Sequence, residues 1–264
     1  MSTLWKVACS ALLVALTTSA SVAQQPTLEK WQVKGVERTA LVFAPSAAAA
    51  TGAPLVLVFH GHGGNVRDAS SSMRFQSAWP EAVVVYLQGL PTRTKIDPRG
   101  EKSGWETEPA SAAHNRDADF VDAVVATMRQ RFPVDDQRIY ATGFSNGAFF
   151  SYALLAMRGS TLAAAAPVAG LIRSWQPAPP RPVIVIGGSR DLLVTADSQK
   201  VSLARLLTVN QATGAGTPCG AGCTVFSSPT GTQVRSIVHP GGHVFPPFAT
   251  EAIVDFFKNH RRQQ

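Results

Sequence analysis

The sequence predicts an α/β fold in which a mostly parallel sheet is covered by helices on both faces. First, strand-like and helix-like segments alternate along the chain, which is typical of this fold class. Second, residues 54–60 and 82–87 are continuous apolar runs, as expected for strands that are buried on both faces. Third, residues 115–131 carry one apolar stripe at helical spacing, which indicates a helix that covers the sheet.

The other elements follow from the same patterns. Residues 31–43 predict two edge strands, because they contain alternating and β-rich stretches. Further strands are predicted at 138–142, 162–168, 182–186 and 234–238, and further helices at 146–157, 198–211 and 248–260. In sheets of this kind ligands bind at the carboxyl ends of the strands, so the chemistry is expected there.

The first 23 residues have the pattern of a secretory signal peptide. They contain Lys6, then an apolar run at 7–16, then the small-residue end Ser21-Val22-Ala23. We expect cleavage near Ala23 and export to the periplasm or the medium. Residues 24–264 are then one catalytic domain. No second long apolar segment follows, so no membrane anchor is expected.

The formal net charge of +7 raises the question of nucleic acid. The cationic residues are scattered, no run of Lys or Arg exceeds two, and export is predicted, so nucleic acid is not an expected partner. Two interpretations stay open: a solvated basic surface, and weak attraction to anionic envelope or plant-wall polymers.

Two cysteines remain after the predicted cleavage, Cys219 and Cys223. An even pair in an oxidising compartment predicts a disulfide, and the glycines at 220 and 222 allow so short a loop to close. Two thiolates alone do not make a structural zinc site, which takes four ligands.

A candidate nucleophile follows the predicted strand 138–142. The segment Gly143-Phe144-Ser145-Asn146-Gly147 is a Gly-x-Ser-x-Gly motif between a strand and a helix. On a sharp strand-to-helix turn the hydroxyl of Ser145 projects into the cleft, and small residues at 143 and 147 leave room for the turn. The alternative is a structural serine in a glycine-rich turn.

A serine nucleophile needs a base, and the base needs an acid that orients it. When the serine stands on such a turn, the chain order is serine, acid, histidine. His243 lies in a flexible loop between the last strand and the last helix, and it is the preferred base. His239 ends a predicted strand and is the alternative; His260 is expected to be solvated.

Asp191 is the preferred acid because it follows the predicted strand 182–186 and precedes the histidine. Its alternative interpretation is a turn or helix-capping residue. The competing acid is Asp197, which directly precedes Ser198 and fits a helix start better.

The oxyanion that forms during attack requires two preorganised N–H groups. One is expected from Asn146, next after the serine, and the other from His62 in the segment His60-Gly61-His62-Gly63-Gly64, with Gly63 as the alternative. A metal site at His60 and His62 is the competing interpretation, and no neighbouring carboxylate or cysteine in the sequence offers a third ligand. We therefore expect no metal and no cofactor.

Together these motifs resemble the secreted polyhydroxybutyrate depolymerase-like and feruloyl or acetylxylan esterases, from about residue 55 to residue 257. The resemblance rests on segments 60–64, 119–121, 138–147 and 241–246 and on Asp191. It implies an α/β-hydrolase fold and a triad of Ser145, Asp191 and His243. The chain departs from the family pattern at Phe245, where a tryptophan is common, and at segment 187–191, where members often have His-Gly-x-x-Asp.

No substantial cap domain is predicted, because only about a dozen residues separate the strands near 168 and 182. An open cleft suits bulky or polymeric esters. Trp105, Trp175 and Phe245 could form aromatic walls for a feruloyl or hydroxyalkanoate group, or each could simply pack in the core.

The sequence thus predicts a monomeric serine carboxylic ester hydrolase that acts through an acyl-enzyme. The expected substrates are feruloyl or acetyl esters of plant polysaccharide, or polyester chains such as polyhydroxybutyrate. Acyl transfer and peptide hydrolysis use the same triad and are alternatives. A non-catalytic binding protein on a hydrolase scaffold is a further alternative, and it would be expected to have lost one of the three residues.

Overall fold

The computed structural model describes residues 25–45, 52–107, 115–173 and 178–262. The predicted signal peptide and Trp175 lie outside the described residues. Within these ranges, no helix has the length and apolar character that crossing a membrane requires.

The strands and helices alternate as the sequence predicts. The strands are β1 (Thr27–Val33), β2 (Val36–Phe43), β3 (Ala53–Phe59), β4 (Val83–Leu87), β5 (Leu90–Pro91), β6 (Ser103–Gly104), β7 (Val134–Phe144), β8 (Ala164–Val168), β9 (Val183–Gly188), β10 (Thr217–Gly220), β11 (Cys223–Phe226) and β12 (Val234–His239). The helices are α1 (Val66–Met73), α2 (Phe75–Ala78), α3 (Arg116–Arg131), α4 (Asn146–Arg158), α5 (Ala196–Val209) and α6 (Ala249–Lys258).

One sheet of ten strands organises the fold, in the order β1-β2-β4-β3-β7-β8-β9-β12-β11-β10. The six strands from β4 to β12 in this order are parallel. The two strands at each edge, β1 with β2 and β11 with β10, run antiparallel to their neighbours. The carboxyl ends of β3, β7, β9 and β12 therefore lie along one edge of the sheet, where the loops that follow them can meet.

The central strands are buried on both faces. In β3, Leu55 and Leu57 belong to the core beneath α3 and α4, while Val56 and Val58 belong to the core beneath α1, α2 and α6. This explains the continuous apolar run in the sequence, because alternate side chains enter two separate cores. The α/β-hydrolase fold predicted from the motifs has this layered arrangement.

Helix α3 shows how local sequence sets an element boundary. The side chain of Asn115 accepts hydrogen bonds from the N–H groups of Asp117 and Ala118, so it caps the first turn. The helix ends at Arg131, two residues before Pro133. The predicted helix at 115–131 is confirmed to within this capping residue.

Several short elements were not among the sequence-based expectations: helices α1 and α2, the strand pair β5–β6 and the β10–β11 hairpin. The longest of them, α1, has eight residues. Cys219 and Cys223 are joined by a disulfide across the β10–β11 hairpin, with their Cα atoms 5.0 Å apart.

The expectation that His260 is solvated is wrong. Its ring is buried, packs at a tilt against Phe256 with the ring centroids 4.1 Å apart, and donates from Nδ1 to the Phe256 carbonyl. Its own carbonyl accepts a hydrogen bond from the Tyr140 hydroxyl at 2.7 Å. The C-terminal residues fold back on the sheet, as the bond from the Arg262 N–H to the Gln137 carbonyl shows, and this covers the ring.

Candidate active site

Ser145 stands on a sharp turn between β7 and α4. Its backbone has φ 54° and ψ −117°, and residues other than glycine rarely adopt a positive φ. The Ser145 N–H donates to the Val168 carbonyl at 2.9 Å, which ties the turn to the neighbouring strand β8. Strain of this kind persists only where the surrounding structure enforces it, and it is concentrated at functional sites.

The glycines on either side of the serine are required by close backbone contacts. A Cβ at Gly147 would lie 2.3 Å from the Phe59 carbonyl oxygen, and a Cβ at Gly143 would lie 2.5 Å from the backbone of Gly147. Any side chain at these positions would push α4 away from β3 or β7. The spacing of the motif is therefore a consequence of how tightly the helix enters the sheet.

Three side chains that the sequence suggested meet above this turn. The Nε2 atom of His243 lies 2.8 Å from Ser145 Oγ, and its Nδ1 atom lies 2.7 Å from Asp191 Oδ2. The Asp191 side chain is fully buried and that of His243 is 17% exposed. Because a carboxylate accepts, Nδ1 carries the proton and Nε2 is left to accept the serine hydroxyl proton.

Asp191 is held by its own loop. Its Oδ1 atom accepts the N–H groups of Leu193 and Val194, both at 2.8 Å, so that Oδ2 is directed at the histidine. The rival acid Asp197 lies in the first turn of α5, where its exposed side chain pairs with Lys200. Asp197 does not cap that helix; Thr195 does, through a hydrogen bond from the Ser198 N–H.

The alternative base, His239, does not reach the serine. Its ring is buried and its Nδ1 atom accepts the Gly241 N–H at 3.1 Å, which bends the chain into the loop that carries His243. Its Nε2 atom has no hydrogen-bond partner within the described ranges. Burial lowers the pKa of His239 below its usual value, so the neutral ring is favoured.

The loop with His243 is also tied to the loop with Asp191. The Ser189 N–H donates to the His239 carbonyl at 2.8 Å, and the Arg190 N–H donates to the Gly241 carbonyl at 3.0 Å. These backbone bonds continue the pairing of β9 with β12 beyond the strands. They hold acid and base at a fixed separation.

Among the hydrogen bonds of the described residues, none uses the backbone N–H of His62 or of Asn146 as a donor. The Gly63 N–H, the alternative donor, is already bonded to the Ser103 carbonyl at 2.7 Å. The Asn146 side chain bridges to the neighbouring loop, where its Oδ1 atom accepts the Trp105 N–H at 2.7 Å. The assignment of His62 and Asn146 as oxyanion donors stays a prediction.

His60 organises the backbone of the segment 60–64. Its Nδ1 atom donates to the Gly61 carbonyl at 2.7 Å, and its Nε2 atom accepts the Gly89 N–H at 3.0 Å and lies 3.1 Å from the Gln88 amide nitrogen. Burial lowers the pKa of His60, and both nitrogens are used. The ring therefore serves as a neutral structural group.

The partner of His62 is Asp97, which sequence reasoning missed. His62 Nε2 lies 3.1 Å from Asp97 Oδ2, and both side chains are largely buried. The N–H of Lys102, at 2.9 Å from the same carboxylate, is the main reason that the pKa of Asp97 lies below its usual range. Across the described ranges, no three His, Cys, Asp or Glu side chains are grouped to hold a metal.

The expected aromatic walls are only partly present. The ring of Trp105 is 1% exposed, stacks on Phe150 at 5.3 Å and donates to the His60 carbonyl, so it packs in the core, although the residue also lines a cleft beside Asn146. The ring supports the segment 60–64, and a contact between Trp105 and the substrate stays a prediction. Phe245 is half-buried and packs edge-on against Phe144, beside the His243 ring.

The proteins that this chain resembles in sequence bear esterase names. A Nocardia uniformis protein named "Putative esterase NocK" is 32% identical over 148 residues, which is 54% of this chain and 41% of that protein. A protein of Aspergillus oryzae named probable feruloyl esterase C is 28% identical over 260 residues, 90% of each chain. An acetylxylan esterase/xylanase of Neocallimastix patriciarum is 26% identical over 60% of this chain, but the match spans only 22% of its own length.

No family model matches the chain. Among solved structures, an acetyl xylan esterase from Aspergillus awamori superposes with a TM-score of 0.63 at 14% identity, over 88% of this chain and 99% of that chain. This likeness establishes the fold as that of the α/β-hydrolase esterases. The resemblance drawn from the motifs to feruloyl and acetylxylan esterases is confirmed by the named relatives.

Proposed function

We propose that this chain is a carboxylic ester hydrolase of the α/β-hydrolase type that works through Ser145, His243 and Asp191. The observation that carries the proposal is the continuous chain of hydrogen bonds from the Ser145 hydroxyl through His243 to the buried Asp191 carboxylate. Support comes from the esterase names of the relatives and from the fold.

In the first half of the reaction, Ser145 Oγ attacks the ester carbonyl carbon while His243 Nε2 takes the hydroxyl proton. The carbonyl oxygen becomes an oxyanion, which the N–H groups of His62 and Asn146 stabilise. When the intermediate collapses, the bond to the alcohol oxygen breaks and His243 returns the proton to the leaving alcohol. An acyl-serine remains.

In the second half, water attacks the acyl carbon and His243 Nε2 takes one of its protons. The bond to Ser145 Oγ then breaks, the proton passes to that oxygen, and the free acid leaves. Throughout, the Asp191 carboxylate accepts the Nδ1–H and stabilises the imidazolium that forms twice in each cycle.

For the substrate we propose a feruloyl or acetyl ester of plant polysaccharide, with hydroxyalkanoate polyester as the second candidate. The names of the relatives favour the polysaccharide esters. We further propose that residues 1–23 are a signal peptide, so that the enzyme meets such polymers in the periplasm or outside the cell. The substrate panel below separates the candidates.

The triad is tested with Ser145→Ala, with Ser71→Ala on the exposed face of α1 as the control. Ester hydrolysis should fall by about a millionfold in Ser145→Ala, as in triads that act as a unit, and should persist in the control. A fluorophosphonate probe should label the wild type and Ser71→Ala, but not Ser145→Ala. Labelling of the Ser145→Ala protein at another serine would refute the assignment of the nucleophile.

Methyl ferulate, acetylated xylan, short p-nitrophenyl esters and hydroxybutyrate oligomers make up the panel. The proposal expects kcat/KM to be highest for ferulate or acetylxylan. A preference for the oligomers would transfer the assignment to polyester. EDTA should leave the rates unchanged, since no step uses a metal.

A further inference from the structure

A cleft of about 280 Å³ opens beside the candidate nucleophile. Its lining includes Asn146, the residue after Ser145, whose side chain is pinned to the Trp105 backbone. The remaining lining comes from the chain between β5 and β6, from the start of the loop after β6, and from Arg173. A group attached to an ester bound at Ser145 would therefore enter this cleft next to the oxyanion site.

The charge of the cleft is strongly one-sided. Arg93, Lys95 and Arg173 are exposed cations at its wall, and Glu106 is the one carboxylate among the lining residues that the structure describes. One oxygen of Glu106 also accepts the Arg116 N–H at 3.2 Å, which commits part of that carboxylate to the start of α3.

A cation of the same chain segment that lies outside the cleft has a carboxylate partner. Arg99 pairs with Glu101. Arg93 and Lys95 line the cleft and form no ion pair with any carboxylate in the described ranges, so their charge at its wall is not neutralised by such a pair. The field of like charges in a concave wall is stronger than that of one exposed residue.

The cleft also has hydrogen-bonding capacity that the protein does not use. The Thr94 hydroxyl has no hydrogen-bond partner within the described part of the chain. By contrast, the Thr92 hydroxyl donates to the Leu90 carbonyl and accepts from Arg116. A carboxylate can accept from a guanidinium, an ammonium and a hydroxyl at the same time.

We propose that this cleft is a subsite for a carboxylate carried by the ester substrate, with Arg93 and Lys95 as its main recognition groups. The inference rests on the proposed function and adds to it a preference for acidic esters. Such a carboxylate can come from a uronic acid in a wall polysaccharide or from the free end of a hydroxyacid oligomer. Part of the net positive charge of the chain then serves to bind substrate beside the candidate active site.

The test compares two aryl esters that differ only in charge, mono-4-nitrophenyl adipate and its neutral monoamide. The measured quantity is the ratio of their kcat/KM values. In the wild type the ratio should favour the anion and should decrease as salt rises from low to about 0.5 M, because salt screens exposed charges. In Arg93→Gln/Lys95→Gln the ratio should fall by about fivefold or more, at about two- to fivefold for each exposed charge.

Two further variants test the sign and the location. Glu106→Gln keeps an acceptor for the Arg116 N–H and removes the opposing charge, so the ratio should rise. Arg99→Gln removes a cation from the same chain segment that does not line the cleft, and it should leave the ratio unchanged. Melting temperatures of Arg93→Gln/Lys95→Gln and Arg99→Gln should stay close to that of the wild type, because these three residues are exposed.

The source of the carboxylate is distinguished with polymers. Acetylated glucuronoxylan is compared with the same polymer after reduction of its carboxyl groups, and hydroxybutyrate trimer is compared with its C-terminal amide. The pair in which loss of the charge lowers kcat/KM identifies the source.

A ratio that is equal in the wild type and in Arg93→Gln/Lys95→Gln overturns the subsite. If the neutral ester is still hydrolysed in a Ser145-dependent way in that case, the proposed function stands without the subsite. If neither ester is hydrolysed by the wild type, the proposed function itself fails and the subsite fails with it.

Discussion

Two histidine–aspartate pairs lie at the same edge of the sheet, and they do different things. In the loop after β3, His62 Nε2 is 3.1 Å from Asp97 Oδ2; in the loop after β12, His243 Nδ1 is 2.7 Å from Asp191 Oδ2. Both carboxylates are buried. If a buried carboxylate partner were the only criterion, either histidine would qualify as a candidate base.

The two histidines differ in the surroundings of the ring nitrogen that does not face the carboxylate. His243 Nε2 faces the Ser145 hydroxyl at 2.8 Å. His62 Nδ1 is buried without a partner in the described residues and lies against Gly104, where even a Cβ would come within 2.7 Å of it. An imidazole next to a carboxylate becomes a candidate base only if its other nitrogen has access to a nucleophile.

The two carboxylates are also bonded differently. Asp191 uses Oδ1 for two backbone N–H groups of its loop and reserves Oδ2 for the histidine. Asp97 uses both oxygens for its loop, accepting the N–H groups of Gly100, Glu101 and Lys102, and shares Oδ2 with His62. We therefore expect Asp97 to position a loop and the backbone of His62, and Asp191 to stabilise charge during the reaction.

The largest effect that tests this comparison is on activity. Asp191→Asn should lower kcat by about ten-thousandfold, because an amide does not stabilise the imidazolium and favours the wrong tautomer. Asp97→Asn should lower kcat by at most about tenfold, and its main effect should be a lower melting temperature. The measurements are ester hydrolysis and thermal unfolding of both variants.

Asp197→Asn is the matched control, since Asp197 is exposed and pairs only with Lys200. Its activity and stability should match the wild type. The distinction between the two pairs would collapse if Asp97→Asn proved as inactive as Asp191→Asn while remaining folded. A stable Asp191→Asn enzyme within threefold of the wild type would remove Asp191 from the triad.

The placement of Ser145, Asp191 and His243 could be predicted because each follows a buried strand, and the carboxyl ends of parallel strands share an edge. The strand–turn–helix context of Gly143–Gly147 adds the orientation of the serine. These are local patterns whose meeting point is set by the fold class, so one sequence is enough to find them.

What could not be predicted depends on contacts between distant segments. Asp97 lies 35 residues from His62 in an irregular loop, with no periodicity that indicates its partner. In the sequence, a tryptophan that lines a cleft looks the same as one that packs in the core. Only the contacts of the Trp105 ring with Phe59 and Phe150 show that it packs in the core. Asp117 lies in the first turn of α3, and the local sequence does not indicate the buried ion pair that it forms with Arg38, 79 residues away, at 2.7 Å.

A smaller effect is expected on removal of the disulfide, because the β10–β11 hairpin lies beside the loop that carries His243. The Val238 N–H donates to the Gly222 carbonyl at 2.9 Å, one residue before His239. Replacing Cys219 and Cys223 by serine should lower the unfolding free energy by about 2 kcal/mol, the chain-entropy value for so short a loop.

Activity of this double variant should stay within about threefold of the wild type, because Ser189 and Arg190 also hold the second loop through backbone hydrogen bonds. Activity and chemical denaturation of the variant are the measurements, and the wild type in reductant is the control. Strong inactivation with little loss of stability would show that the hairpin, and not β9, positions His243.

The smallest expected effect concerns His60 and His239, which lie at the ends of β3 and β12 and belong to neither histidine–aspartate pair. Burial lowers the pKa of both, so between the folded and the unfolded pKa the unfolded chain binds more protons than the folded one. Stability is therefore complete above the unfolded pKa of about 6.5 and is lost as the pH falls below it. At pH 6.0 the loss is at most about 0.8 kcal/mol for each histidine, since linkage bounds it by the protonation of the unfolded chain.

Denaturation at pH 7.5 and 6.0 measures this loss of unfolding free energy. His239→Asn keeps an acceptor near the position of Nδ1 for the Gly241 N–H and does not titrate, so its stability should fall less over this range. A free energy of unfolding that rises from pH 7.5 to 6.0 would mean that charged rings are favoured in the fold, contrary to their burial.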